Sequence, residues 1–329
     1  MFLPFERLRQ VLQRLSASEK PCLTSLRSRR AILVICLLLA AALPVSCFFW
    51  SGDKHIAIGA KPFNENILLA EMLAQLTEAH TKIKVERKFN LNSTLVAFDA
   101  LKSGAIDLYP EYTGTGLATL LGQPTQRDAA KAYETVQTAF NKQFQLKWLK
   151  PYGFNNTYAI AVTAELAKAH NLQKISDLSP YASSLVFAAN QDFYMSADGF
   201  NGLVQTYGIT FKDKRQLDID PKYEAIADGR VDVINAFATD GSLIAHKLVV
   251  LTDDKDYFTD YQGTTLVRMD TLRKYPELEP VLNKLADQLS DADMQRLNYQ
   301  IDQEKRPIAE VARNFLTSKG LLPVKKQAK

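Results

Sequence analysis

The sequence predicts an α/β protein of two similar lobes with a ligand cleft between them, preceded by an N-terminal signal or membrane-anchor helix. Three observations carry this. Segments with strand and helix patterning alternate through one half of the chain and then start again in the other. The run FDALKSGAIDL (98–108) is echoed in residue class by YEAIADGRVDV (223–233), 125 positions later, and each copy reaches an aromatic at its strand's exit, Tyr112 and Phe237. Between helix and loop lies GAIDLYPEYTGTG (104–116), in which an apolar strand over 106–109 is expected to break at Pro110 into a loop holding Glu111, Tyr112, Thr113 and Thr115. A strand ending in such a loop forms one wall of a cleft in open α/β sheets.

The 329 residues leave room for two lobes, and an apolar share of 47% is ample for their cores. The net charge is +4, yet residues 1–30 alone hold seven basic residues against Glu6 and Glu19. The body therefore has no basic surplus of the kind that reads as a nucleic-acid surface. Cys22, Cys36 and Cys47 all precede residue 50, so the body has no thiol for a disulfide or a thiolate metal site. Residues 31–49, AILVICLLLAAALPVSCFF, are uncharged and follow Arg29 and Arg30. This pattern reads as an export signal or membrane anchor, and the positive-inside rule places the body outside the cytoplasm. Ala40 and Ala42 suit signal cleavage, LPVSC ending at Cys47 is a degenerate lipidation motif, and retention as an anchor is the third outcome; all three stay open.

Along the body, His55–Gly59 alternates as a strand, 61–64 is a loop with Asn64 as expected N-cap, and 65–79 has apolar residues at helical spacing. This βα opening puts Lys61 at the carboxyl end of a strand. A strand over 82–89, a helix over 93–103 stopped by Gly104, a helix over 127–144 and a strand over 146–149 follow. The loop PYGFNNTY (151–158) leads into a strand over 159–162. The second round comprises helices over 164–169, 199–207, 222–228 and 241–246, with strands over 185–189, 231–234 and 248–251. A strand over 261–268 and a helical region over 276–316 close the chain. The expected division is a leader over 1–52, lobe I over 53–156 and 258–325, and lobe II over 157–257.

Catalytic patterning is absent. His55, His80, His170 and His246 are scattered, and the chain has no HExxH, GxSxG, P-loop or GxGxxG. No enzyme activity, metal or cofactor is therefore expected. What stands out is tyrosine near loops: Tyr109, Tyr112, Tyr152, Tyr158, Tyr194 and Tyr261, with Phe193 and Phe237. Aromatic faces attract a cation that cannot donate a hydrogen bond, by ~0.5 to 2 kcal/mol per desolvated contact. A single tyrosine is more often core packing with its hydroxyl tied off. Here Tyr112, Tyr158, Phe237 and Tyr261 all fall at expected strand-loop edges, which favours a box for a quaternary ammonium.

The runs AKPFNENILLAEMLAQL (60–76), AFDALKSGAIDLYPEYTGTGL (97–117), WLKPYGFNNTYAIAV (148–162), NAFATDG (235–241) and DYQGTTLVR (260–268) resemble the osmoprotectant substrate-binding proteins of ABC importers, those taking glycine betaine, choline and carnitine. The resemblance covers residues 55–322. It implies a two-lobed, hinge-closing periplasmic-binding-protein fold of type II that traps a trimethylammonium head in an aromatic box. It also implies delivery to a permease driven by an ATPase on other chains. The box position of PEYTGT falls on Tyr112, with Thr115 as hydroxyl partner; that of FNNTY falls on Tyr158, beside Asn156; and the last falls on Tyr261. Lys61 occupies a polar position that can meet a ligand carboxylate.

Two positions depart from the family's pattern. Phe237 stands where a box tyrosine is expected and keeps the π face without the hydroxyl. Ser196, in FYMSADG (193–199), stands where betaine-binding members can carry arginine, and losing that guanidinium weakens the case for a carboxylated ligand. Lys61 can still pair with a carboxylate, choline needs only a Ser or Thr for its hydroxyl, and ergothioneine is admissible as another trimethylammonium compound. The rival from another class is an extracytoplasmic choline-ester hydrolase, which needs a nucleophile and base that the sequence does not display. A sensor ectodomain on its own anchor is a third reading, disfavoured because no signalling domain precedes the apolar segment.

Overall fold

The computed structural model describes residues 54–124, 126–195 and 199–322. The expectations for the leader, for its apolar segment and Cys47, and for Ser196 lie outside the described residues.

Two five-stranded sheets share one plan. The first is ordered β2-β1-β3-β10-β4, from β1 (His55–Gly59), β2 (Lys84–Lys88), β3 (Leu108–Tyr112), β4 (Leu146–Trp148) and β10 (Gly263–Arg268). The second is ordered β7-β6-β8-β5-β9, from β5 (Tyr158–Thr163), β6 (Val186–Ala189), β7 (Asp213–Gln216), β8 (Val233–Phe237) and β9 (Leu248–Leu251). In each, the third strand has a parallel neighbour on one side and an antiparallel one on the other, β1 and β10 for β3, β6 and β5 for β8. The main helices are α1 (Asn64–His80), α2 (Thr94–Ser103), α3 (Ala129–Phe144), α4 (Ala164–His170), α5 (Phe200–Tyr207), α6 (Ile219–Ala227), α7 (Asp291–Asp302) and α8 (Ile308–Ser318).

The internal echo is a topological equivalence. Helix α2 feeds β3 through Gly104 at φ 79°, and α6 feeds β8 through Gly229 at φ 70°. These left-handed turns suit glycine because it has no Cβ. The two aspartates that follow do the same work: Asp107 Oδ2 accepts from the amide of Ala57 at 2.7 Å, and Asp232 Oδ2 from that of Val186 at 2.8 Å. Each ties its strand to the parallel neighbour. Third strands built alike deliver Tyr112 and Phe237 to the same end of their sheets.

Each sheet is packed on both faces. Around the first, Leu68, Leu69, Met72 and Leu73 of α1 join Met294 and Leu297 of α7 and Val311 and Phe315 of α8 on one side, while Phe98, Phe140 and Trp148 fill the other. Phe187, Phe193, Leu203 and Val233 centre a core of the second sheet, with Tyr223, Ile226 and Ile234 opposite. Two segments, 149–157 and 252–262, connect the sheets and run side by side, bridged at Asn155 and Gln262, with the Thr157 hydroxyl donating to the carbonyl of Thr259 at 2.6 Å.

Three local expectations need correction. Pro110 does not break the strand but lies inside β3, opposite Thr265 of β10. The β1 pairing ends at Leu108, so no ladder needs the missing N–H, and the proline carbonyl accepts from Asn66 Nδ2 at 2.9 Å. Asn64 is the first residue of α1, not its cap; the cap position is Phe63, whose side chain makes no capping bond. Strand β7, DKRQ, is absent from the sequence-based expectation because an exposed, charged edge strand carries no apolar alternation.

Candidate functional site

A cavity of about 1040 Å³ opens between the two sheets' carboxyl-terminal edges. The β1–α1 loop with the first turn of α1 supplies Lys61, Phe63 and Glu65; the end of β3 and the turn after it supply Tyr112 and Thr115; the connecting segments supply Asn156 and Tyr261; α7 supplies Asn298 and Asp302; and the other lobe supplies Tyr223, Phe237, Thr239, Asp240 and His246. Six of the eight residues singled out in the sequence thus line one cavity: Lys61, Tyr112, Thr115, Asn156, Phe237 and Tyr261. Ser196 is outside the described residues. Tyr158 adjoins the lining residues, its ring stacked on Phe237 at 5.1 Å and edge-on to Phe193 at 4.9 Å. The register sets the two rings side by side, since Tyr158 is paired directly with Phe237 across β5 and β8.

The rings are seated by backbone that only glycine permits. A Cβ on Gly114 would lie 2.6 Å from the Tyr261 ring, so the glycine in YTGTG makes the space into which that ring packs. Phe63 stacks near Tyr112 with centroids 6.2 Å apart.

Lys61 has a different setting from the one expected. Its Nζ donates to Glu111 Oε1 at 2.5 Å, and both side chains are almost fully buried. Glu111 also accepts from the Tyr109 hydroxyl at 3.1 Å and the Tyr112 amide at 2.8 Å. The Lys61 charge is thereby matched inside the protein, and its Nζ lies 5.0 Å from the Tyr112 ring centroid. A buried ammonium so close to a carboxylate is not a free partner for a ligand anion.

The polar centre of the cavity is a residue that sequence reasoning does not single out, Glu65. One carboxylate oxygen accepts from the Tyr112 hydroxyl at 2.7 Å and from Asn156 Nδ2 at 2.8 Å, and the other from Asn298 Nδ2 at 2.8 Å. Thr239 adds a further side-chain hydrogen bond. Burial pushes the Glu65 carboxyl above its ordinary value, against the pull of these four donors. Every one of the donors is neutral. Asp240 is the counterpart in the other lobe, accepting from the Tyr223 hydroxyl at 2.5 Å and the Phe237 amide at 3.0 Å, and burial again raises its pKa. Around the cavity stand four carboxylates, Glu65, Glu224, Asp240 and Asp302, against two ammonium groups, of which Lys61 is already matched by Glu111. The site has a negative bias and several aromatic walls.

An acidic residue in the first turn of an amphipathic helix looks in sequence like a dipole partner, which hides Glu65. Asn298 lies 233 residues from it in the chain and carries no sequence signal at all.

Residues 54–318 match the family model described as the substrate binding domain of ABC-type glycine betaine transport system. The chain is 34% identical over 286 residues to the ergothioneine transport permease/ergothioneine binding protein EgtU of Helicobacter pylori, covering 87% of this chain and 51% of that longer protein. It is 34% identical over 268 residues to the carnitine transport binding protein OpuCC of Listeria monocytogenes, covering 81% of this chain and 87% of the relative. Among solved structures, one titled as a glycine betaine/carnitine/choline ABC transporter superposes with a TM-score of 0.77 at 33% identity, over 81% of this chain and 99% of the other.

Proposed function

We infer, for a chain that belongs to the family of substrate-binding domains of ABC-type glycine betaine transport systems, that its own ligand is a trimethylammonium compound held in the cavity described above. The observation that carries this reading is the pairing of aromatic faces with a buried carboxylate, Glu65, whose hydrogen-bond donors are all uncharged. A methylated cation brings its charge without N–H donors, so it gains from ring faces and from a nearby anion at once. In this reading Tyr112, Phe237 and Tyr261 form the walls, with Tyr158 stacked beside Phe237. Thr115 and Asn156 contact the ligand's remainder, together with Ser196. Lys61 orients Glu111 and the Tyr112 edge instead of pairing with a ligand carboxylate.

The chemistry of the wall ranks the ligands. With Lys61 matched by Glu111, choline and other ligands without an anion meet no opposing charge, whereas glycine betaine and carnitine set a carboxylate beside an acidic wall. Ergothioneine, which the H. pylori relative is named for, brings the same trimethylammonium group and, like glycine betaine and carnitine, a carboxylate. Capture is followed by lobe closure about the segments 149–157 and 252–262 and by delivery to a permease and ATPase on other chains. The body acts outside the cytoplasm, tethered or released according to the fate of residues 31–49.

Isothermal titration of the protein with choline, glycine betaine, carnitine and ergothioneine tests this directly. Saturable binding of at least one is expected; no binding by any of the four overturns the reading.

A further inference from the structure

Helix α7 lies along the boundary between the lobes and presents it with a polar stripe. Asp291, Gln295, Asn298 and Asp302 are spaced four, three and four residues apart, which places them on one helix face. The adjoining face, with Met294, Leu297 and Ile301, is buried in the core of the first lobe, so the stripe is fixed to that lobe. At one end Asp291 Oδ1 accepts from the Asn155 amide in a connecting segment, at 2.8 Å. In the middle the stripe meets the second lobe: Gln295 Nε2 donates to the Ala238 carbonyl at 2.7 Å, and Asn298 Nδ2 to the Thr239 carbonyl at 2.9 Å. The approach is close enough to demand a glycine, because a Cβ on Gly241 would lie 2.5 Å from the Tyr299 amide nitrogen.

Asn298 and Asp302 both reach the cavity, and Asn298 is the one that also bonds the second lobe. Its single amide group donates both to the main chain of the second lobe and to Glu65 Oε2 on the first. We propose that Asn298 is a positioning residue that couples the cavity carboxylate to lobe closure, with Gly241 as the surface against which α7 seats. The physical link is a shared donor. A cation bound beside Glu65 keeps that group ionised, an ionised acceptor holds the Asn298 amide more strongly, and the amide so held presents its second hydrogen to Thr239. Ligand charge in one lobe is thereby transmitted to the main chain of the other by one side chain. The coupling rests on the trimethylammonium reading above, while the seam itself does not.

The test has two arms on the full chain. In the first, hydrogen exchange is followed without added ligand across 237–246 and 291–303 in wild type, Asn298→Ala and Gly241→Ala. Faster exchange on both sides of the seam in both variants, with the rest of the chain unchanged, is expected. In the second, choline binding is measured by stopped flow. Both variants should lose about tenfold in affinity, carried by dissociation with association nearly unchanged, as loss of a closing contact requires. Asn298→Gln, which keeps a donor amide, should recover part of the loss. Unchanged exchange in both variants overturns the seam. An equal loss in association and dissociation, or no loss, overturns the coupling. Failure of wild type to bind any trimethylammonium compound rejects the ligand reading and with it the coupling, and the exchange arm still decides the seam.

Discussion

Glu65→Gln isolates the electrostatic part of recognition. The substitution removes one charge from a carboxyl that is buried and whose donors are Tyr112, Asn156, Asn298 and Thr239, all neutral. A unit positive charge about 5 Å away, at an effective dielectric constant of about 20, interacts with it by about 3 kcal/mol, or roughly 200-fold in affinity. The cavity is open to water on one side, so a loss of about 10- to 100-fold is expected. Glutamine also turns an N–H towards the Asn298 amide, and that hydrogen-bond loss must be separated from the loss of charge. Comparing choline with 3,3-dimethylbutan-1-ol, its uncharged carbon analogue of the same shape, does so, because a change in geometry or closure acts on both ligands alike. Calorimetry at pH 8 should show wild type strongly preferring choline and Glu65→Gln losing most of that preference. Because burial raises the Glu65 pKa, the carboxylate is lost as pH falls through a value above the ordinary ~4.3 of glutamate. Wild-type preference for the charged ligand should therefore also shrink as pH is lowered, and the variant's should not. A preference ratio untouched by Glu65→Gln would refute the assignment of Glu65 as the ligand's counter-charge.

Three further outcomes follow from the same geometry. Tyr112→Ala removes a ring and a donor to Glu65 and should weaken trimethylammonium binding at least about tenfold, whereas Tyr112→Phe keeps the face and should cost less; unchanged titration curves for the alanine variant would exclude Tyr112 from the box. Gly114→Ala puts a methyl into the Tyr261 ring and should weaken binding by about tenfold without touching any ligand-facing side chain, which a crystal structure showing a displaced Tyr261 would corroborate and wild-type affinity would contradict. Asp260 is buried beside Asp291, with one carboxylate oxygen lacking a partner, and its pKa is raised by burial from 3.8 to about 6. The folded state therefore binds a proton more tightly than the unfolded chain, so stability falls as pH rises from about 4 through 6, by up to about 3 kcal/mol. Asp260→Asn should raise the melting temperature at pH 7.5 and leave it unchanged at pH 4; equal effects at both would rule out ionisation as the cause.

The glycines and aspartates of the two echoed runs make the duplicate plan legible in the amino-acid sequence alone. Gly104 and Gly229 stop helices, Asp107 and Asp232 start strands, and such local rules act through the backbone of a few neighbouring residues. The aromatic walls are legible for the same reason, since Tyr112 and Phe237 sit at the exits of equivalent strands. What sequence does not rank is charge in the cavity. Lys61 reads in sequence as a cation facing a ligand, and the fold brings Glu111, fifty residues on, to within 2.5 Å of it. Glu65 reads as an ordinary first-turn acid, and the fold surrounds it with donors from β3, a connecting segment, the second lobe and α7. Tyr158 reads as wall on its own, and the antiparallel register of β5 with β8 makes it the stacked neighbour of Phe237. Backbone conformation and strand order are decided locally, by residues that chain neighbours can satisfy. Which charge is left without a partner is a sum over all the elements that meet at a point, and only the packed structure decides that sum.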